Sequence, residues 1–191
     1  MKVLAINGSA RKDGNTAIML RAALAPIEAA GIETELLQLH GKNIHGCIAC
    51  MKCWEKKDGH CAVKNDMLND IMDKMVAADG MLIGSPTYFA NVTSNIKSII
   101  DRAGMVALAN GYLLARKVGG AVVAVRRGGA IHVFNSINHF YFINQVVVPG
   151  SSYWNLGHGL EPGDVAKDDE GMLTMENLGK NMAWVLQKFH G

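Results

Sequence analysis

The sequence has no run near the ~18 consecutive apolar residues that a membrane span needs. Its longest apolar stretches, around Val118–Val125 and Val146–Val148, have the length of buried strands. It also lacks a charge excess: 19 Lys and Arg stand against 17 Asp and Glu, a net of +2, which argues against an electrostatic grip on nucleic acid. Internal repeats, low-complexity tracts and linkers are absent, so the 191 residues are read as one domain. The first apolar run meets Arg11, Lys12 and Asp13 at once, unlike a signal peptide. The expectation is a cytoplasmic protein with no membrane and no nucleic-acid partner, whose four cysteines are metal ligands or redox groups rather than structural disulfides. Hydrolytic signatures are missing: there is no His-Glu-x-x-His, no Gly-x-Ser-x-Gly and no Ser–His–acid set. The seven histidines fall at no metal-ligand spacing, and His132 and His139, on one predicted helix, read as structural.

What is present is apolar residue in quantity, 49% of the chain, enough for a full core. Met1–Asn7 is apolar on both parities, as in a parallel strand covered on both faces. A polar loop follows, then a helix over Thr16–Ala30 that Gly31 stops. Glu33–Leu39 alternates as a second strand. His40–Asn65 breaks the rhythm and holds all four cysteines. A helix over Asp66–Ala78, a strand over Gly80–Ser85, a loop over Pro86–Asn91 and a helix over Thr93–Ala103 come next. The pattern closes with a strand over Lys117–Arg126, a helical segment from Gly128 to Asn144, a fifth strand over Gln145–Pro149, irregular surface chain over Ser151–Gly171 and a last helix over Met172–Phe189. The eleven methionines read as core filler, and Asp168 or Asp169 as a cap for the last helix. Strands alternating with helices imply an α/β fold with an open parallel sheet.

In such sheets ligands bind beyond the carboxyl ends of the strands, and three loops there carry chemistry. Asn7–Thr16 joins a buried strand to a helix start, where backbone amides and the helix dipole favour an anion. Ser9, Arg11, Asn15 and Thr16 can add donors; the same residues also suit an ordinary turn with Asn15 or Thr16 as the helix cap. The loop is neither a Walker loop nor Gly-x-Gly-x-x-Gly. Gly84–Phe89 brings Pro86, Thr87, Tyr88 and Phe89 to a strand end, where the rings either stack on a planar ligand or plug the loop. Arg126–Gly129 offers bare backbone at Gly128 and cations at Arg126 and Arg127, or a plain solvated turn. Together the loops fit a mononucleotide with a planar head. One phosphate-type loop, with no second Gly-rich fingerprint, suits a mononucleotide rather than a dinucleotide.

The cysteines form Cys47-x2-Cys50-x2-Cys53-x7-Cys61. Three thiols at two-residue gaps suit a [4Fe–4S] cluster wrapped in a short loop. Structural zinc prefers two separated Cys-x2-Cys pairs. Zinc and free or disulfide-forming thiols remain the alternatives.

Asn7-Gly8-Ser9-x-Arg11, Gly14-Asn15-Thr16, Gly84-Ser85-Pro86-Thr87-Tyr88-Phe89 and Asp101-Arg102 together resemble the NADPH-dependent FMN reductase family, over nearly the whole chain. The cysteine spacing resembles its iron–sulfur flavoprotein branch, as does Ser151-Ser152-Tyr153-Trp154-Asn155. The resemblance implies a flavodoxin-like three-layer sandwich with a five-stranded parallel sheet and a Cys-rich insertion at 40–65 in a single domain 1–191. It implies FMN phosphate held by Ser9, Arg11, Asn15 and Thr16. Pro86, Thr87, Tyr88, Phe89, Arg127 and Gly128 would lie beside the flavin ring, and Cys47, Cys50, Cys53 and Cys61 would ligate the cluster. The implied activity is a flavin-dependent oxidoreductase relaying electrons between FMN and the cluster, with NAD(P)H, ferredoxin or a quinone as partners. A cluster-free NAD(P)H-dependent FMN or quinone reductase and a non-catalytic flavodoxin-like binding module are the alternatives. A homodimer or homotetramer is expected, with one subunit's cluster near another's flavin. Trp54 and Tyr141–Phe142 would supply aromatic surface for it.

Overall fold

The computed structural model describes residues 1–190. Five parallel strands, β1 (Lys2–Asn7), β2 (Glu33–Gln38), β3 (Gly80–Pro86), β4 (Val118–Val125) and β5 (Leu156–His158), form one sheet in the order β2-β1-β3-β4-β5. Among the described residues six helices accompany it: α1 (Asn15–Ala29), α2 (Lys52–Lys56), α3 (Leu68–Ala77), α4 (Ser94–Ala109), α5 (Ala130–Ile143) and α6 (Asp169–His190). The strands' two-residue period builds the layers. On β1, Val3 and Ala5 join the core under α1 and α6, while Leu4 and Ile6 join the core under α3, α4 and α5. The chain therefore leaves β1 and β3 toward opposite faces, through α1 and α4, which opens a crevice between those strand ends.

The fifth strand corrects the sequence reading. Gln145–Pro149 pairs with the sheet through an isolated bridge, Val118–Val147, and forms no ladder. Val146 packs against Gly119, where an added Cβ would stand 2.7 Å from its Cγ1, and Pro149 has no amide to extend a ladder. The ladder position falls instead to Leu156–His158, inside the stretch read as irregular surface chain. A single 3-10 turn, Asp164–Lys167, also lies in that stretch. Asp168 caps α6 by accepting from the Gly171 amide at 3.0 Å. Neither Asn15 nor Thr16 caps α1; Gly14 holds that position without a side-chain bond. The aromatic segment splits: Tyr141 is fully buried, with its hydroxyl on the carbonyls of Met81 and Gly120, while Phe142 and Trp54 are exposed. Among the described residues no helix is long and apolar enough to cross a membrane.

Candidate functional site

The carboxyl ends of β1, β3, β4 and β5 surround an open mouth of about 200 Å³. Asn7, fully buried at the end of β1, shapes its first wall. Its side chain donates to Gln38 at 2.7 Å and to the Lys12 carbonyl at 3.3 Å, and accepts from the Ser9 amide at 3.1 Å. Ser9 Oγ in turn accepts from the Arg11 amide at 3.0 Å. Gly8 is required here, since a Cβ would stand 2.2 Å from Ile96 Cγ1 and 2.9 Å from the Gly84 carbonyl. Thr93 ties this loop to α4: its hydroxyl donates to the Gly8 carbonyl at 2.9 Å and accepts from the Ile96 amide at 3.4 Å as the helix cap.

Arg11, Asn15, Thr16, Pro86, Thr87 and Tyr88 line the mouth. At the start of α1 the Ala17 and Ile18 amides bond the Gly14 carbonyl at 3.0 and 3.2 Å, while Asn15 and Thr16, ahead of the helix's own bonding pattern, lie on the mouth wall. Asn15 is engaged with the opposite wall. Its amide donates to the Glu161 carbonyl at 3.0 Å, and its oxygen accepts from the Gly163 and Val165 amides at 2.9 and 3.4 Å. It fastens the Gly159–Val165 return loop that forms that far wall. Thr87 Oγ1 is buried and has no hydrogen-bond partner. A buried hydroxyl left unpaired is costly, and Thr87 is the residue of the mouth wall that carries one.

The remaining residues expected at the ring fall elsewhere. Phe89 and Ala90 have φ of 47° and 59° and form the centre of a tight turn closed by the Tyr88 amide on the Asn91 carbonyl at 2.9 Å and the reverse bond at 3.0 Å. The turn holds the Phe89 ring fully in solvent and off the mouth wall. Positive φ at a bulky residue is strained, and such strain gathers at functional sites. Arg127 and Gly128 are exposed and line no wall of the mouth; Arg126, Ala124 and Val125 do, with Gly159 and Leu160. Ser9 is buried behind the loop and shapes it from within. Sequence reasoning missed Gly159 and Leu160 because they reach the mouth only once β5 is placed.

The four cysteines line a second, mostly apolar pocket with Met105 and Val106 of α4. All four thiols are free. Cys47 and Cys50 are exposed, Cys53 and Cys61 half-buried, and burial pushes the Cys53 thiol up. Ala49 and Met51 take φ of 52° and 57°, which curls the loop so that residues three apart present their thiols to one hollow. The short helix α2 within the loop gives no signal of its own in the sequence. Among the described residues, no three His, Cys, Asp or Glu side chains converge as ligands of a single ion. The two pockets share no lining residue. Arg102, on the wall of the cysteine pocket, lies eight residues, about 12 Å, along α4 from Ser94 at its mouth end.

Comparison with known proteins agrees with this architecture. An iron-sulfur flavoprotein of Methanocaldococcus jannaschii is 40% identical over 194 residues, covering 98% of each chain. One of Archaeoglobus fulgidus is 35% identical over 193 residues, covering 98% of this chain and 92% of the relative. A WrbA-like flavodoxin from Agrobacterium tumefaciens superposes with a TM-score of 0.68 at 15% identity, over 98% of this chain and 97% of its own; at that identity it shows the fold, which is flavodoxin-like. The profile of the NADPH-dependent FMN reductase family matches residues 1–161. With a loop-lined mouth at the β1–β3 crevice and relatives aligned from end to end, the chain belongs to the NADPH-dependent FMN reductase family.

Proposed function

We propose that the protein is an FMN-dependent electron-transfer oxidoreductase that relays electrons between FMN in the mouth and a [4Fe–4S] cluster on Cys47, Cys50, Cys53 and Cys61. The observation that carries the flavin half is the partnerless Thr87 hydroxyl buried in a mouth that also gathers Arg11 and the start of α1. The start of α1 and Arg11 suit a phosphate. Tyr88, half exposed at the rim, suits a ring face. For the cluster half, four free thiols line one apolar hollow, three of them at two-residue gaps, which suits a cubane wrapped in a short loop. When bound, FMN supplies one- and two-electron chemistry and the cluster one-electron chemistry.

The chain's own residues then bind, orient and exclude water. Arg11 and the α1 amides fix the phosphate end, Pro86 and Thr87 orient the ring edge, and Met105 and Val106 keep water from the cysteine hollow. NAD(P)H, ferredoxin or a quinone are the partner classes of this reading, and NADPH is the one that the family's description names. The separation of the two pockets within one chain favours a homodimer or homotetramer in which neighbouring copies bring them together. Phe142, Ile143 and Trp54 are exposed apolar residues available to such contacts. The test is Cys50→Ser, measured anaerobically. Serine is a poor substitute for a soft thiolate, so reduction by a one-electron carrier should slow sharply while direct chemical reduction of the flavin persists. An unchanged one-electron rate with full iron would sink the relay and leave a cluster-free flavin reductase.

A further inference from the structure

We propose that Arg102 is a positioning residue for the ligand Cys61, and that the Arg102–Asp66 pair sets the reduction potential of the cluster; the proposal rests on the cluster reading above. Arg102 and its neighbour Asp101 point to opposite faces of α4. Asp101 pairs with Lys97 at 2.6 Å on the surface, whereas the Arg102 side chain is completely buried. Every nitrogen of its guanidinium is engaged with the cysteine loop. Nε donates to Cys61 Sγ at 3.4 Å, Nη1 to the His45 carbonyl at 3.0 Å and to Asp66 Oδ2, and Nη2 to the Val63 carbonyl at 2.9 Å. One side chain thus grips both arms of the loop, ahead of Cys47 and beyond Cys61. The Cys61 backbone is fixed as well, its amide donating to Asn69 Oδ1 at 2.8 Å and its carbonyl accepting from Asn69 Nδ2 at 3.0 Å.

The charges are arranged so that their signs can be read. Asp66 is as buried as Arg102, and its carboxylate also accepts from the amides of His45 at 2.8 Å and Leu68 at 3.1 Å. Burial would push the Asp66 carboxyl up, but the Arg102 bond and these amides outweigh it and hold it below the usual carboxylate range. The pair is therefore ionised and neutral as a unit, with the cationic member turned to the sulfur. Reduction adds negative charge to a cluster and its thiolates, and hydrogen bonds to sulfur together with nearby charge set the potential. Removing the cation leaves a bare carboxylate beside the cluster and should disfavour reduction. Removing the anion leaves a bare guanidinium and should favour it. A residue that only held the loop in shape would not produce shifts of opposite sign.

The experiment is an anaerobic redox titration of the cofactor-loaded protein, followed by electron paramagnetic resonance, with iron quantified in each sample. The variants are Arg102→Gln, Asp66→Asn and the double substitution. Arg102→Gln should move the cluster potential negative by at least a tenfold change in the reduction equilibrium, about 59 mV for one electron. Asp66→Asn should move it positive, and the double variant should lie between the two. Should Arg102→Gln lose its iron or fail to fold, Asp66→Asn decides: a positive shift supports the proposal, and none or a negative one overturns it. Shifts of the same sign, or none with iron retained, also overturn it while leaving the cluster reading intact. Iron-free wild-type protein overturns both.

Discussion

At the mouth, the loops grow directly from strand ends: Asn7, Ser9 and Thr93 bond them into the sheet and into each other, and Gly8 leaves no room for change. The cysteine loop grows from no strand it could pair with. It leaves the edge strand β2, curls through left-handed residues, and is held by Asp66 just ahead of α3, by Asn69 of α3, and by Asn95 and the buried Arg102 of α4. The first region is held by where it sits in the fold. The second is held by a few polar side chains. Its thiols can therefore be presented without a hydrophobic core of their own, at the cost of dependence on those few contacts.

Five substitutions can break or sharpen this contrast. Cys53→Ser, at a half-buried thiol, should remove the iron entirely while flavin content stays the same, read by iron and flavin analysis of one sample. Joint loss of both would mean that the two regions are not independent. Gly8→Ala should do the reverse. Its new Cβ would meet Ile96 and the Gly84 carbonyl, and overpacking of this kind costs about 1–3 kcal/mol; a lower unfolding midpoint and weaker flavin binding with iron retained is the expected pattern. Arg11→Ala should weaken flavin binding about tenfold or more, since a charge-assisted hydrogen bond contributes about 1.5–3 kcal/mol. Arg116→Ala, outside the mouth, should leave affinity unchanged, and equal losses would contradict the phosphate assignment. Thr93→Ala removes the α4 cap, about 1 kcal/mol, which lowers the melting temperature by roughly 2–4 °C in a chain of this size. The loss should appear as weaker flavin binding before any change at the cysteines.

The same contrast governs what can be read from the sequence. β1, β3 and β4 are legible because strands covered on both faces carry apolar residues on both parities through their centres, and the loops after them carry recognisable residues. β5 is not, because three residues centred on a glycine give no periodic signal, while Val146–Val148 gives a strong one and forms only a bridge. Thr87, Tyr88, Arg11 and Thr16 reach the mouth as their loops suggest. In the third loop it is Arg126 rather than Arg127 that lines the mouth, since the turn's geometry and not its composition decides which side chain points inward. The cysteine spacing is plain, but its anchor is not. Arg102 differs from any solvated helix arginine only through partners more than thirty residues away in sequence.

The central claim is that one chain holds FMN and an iron–sulfur cluster in two separately built pockets. The most direct test is flavin, iron and sulfide analysis of anaerobically purified protein, with the absorption spectrum recorded before and after acid release of the flavin. The expected result is one FMN per chain, iron and acid-labile sulfide in equal amounts, and a broad cluster absorption beneath the flavin bands. A yellow, iron-free protein whose spectrum is that of flavin alone, or a released flavin identified as FAD, would contradict it.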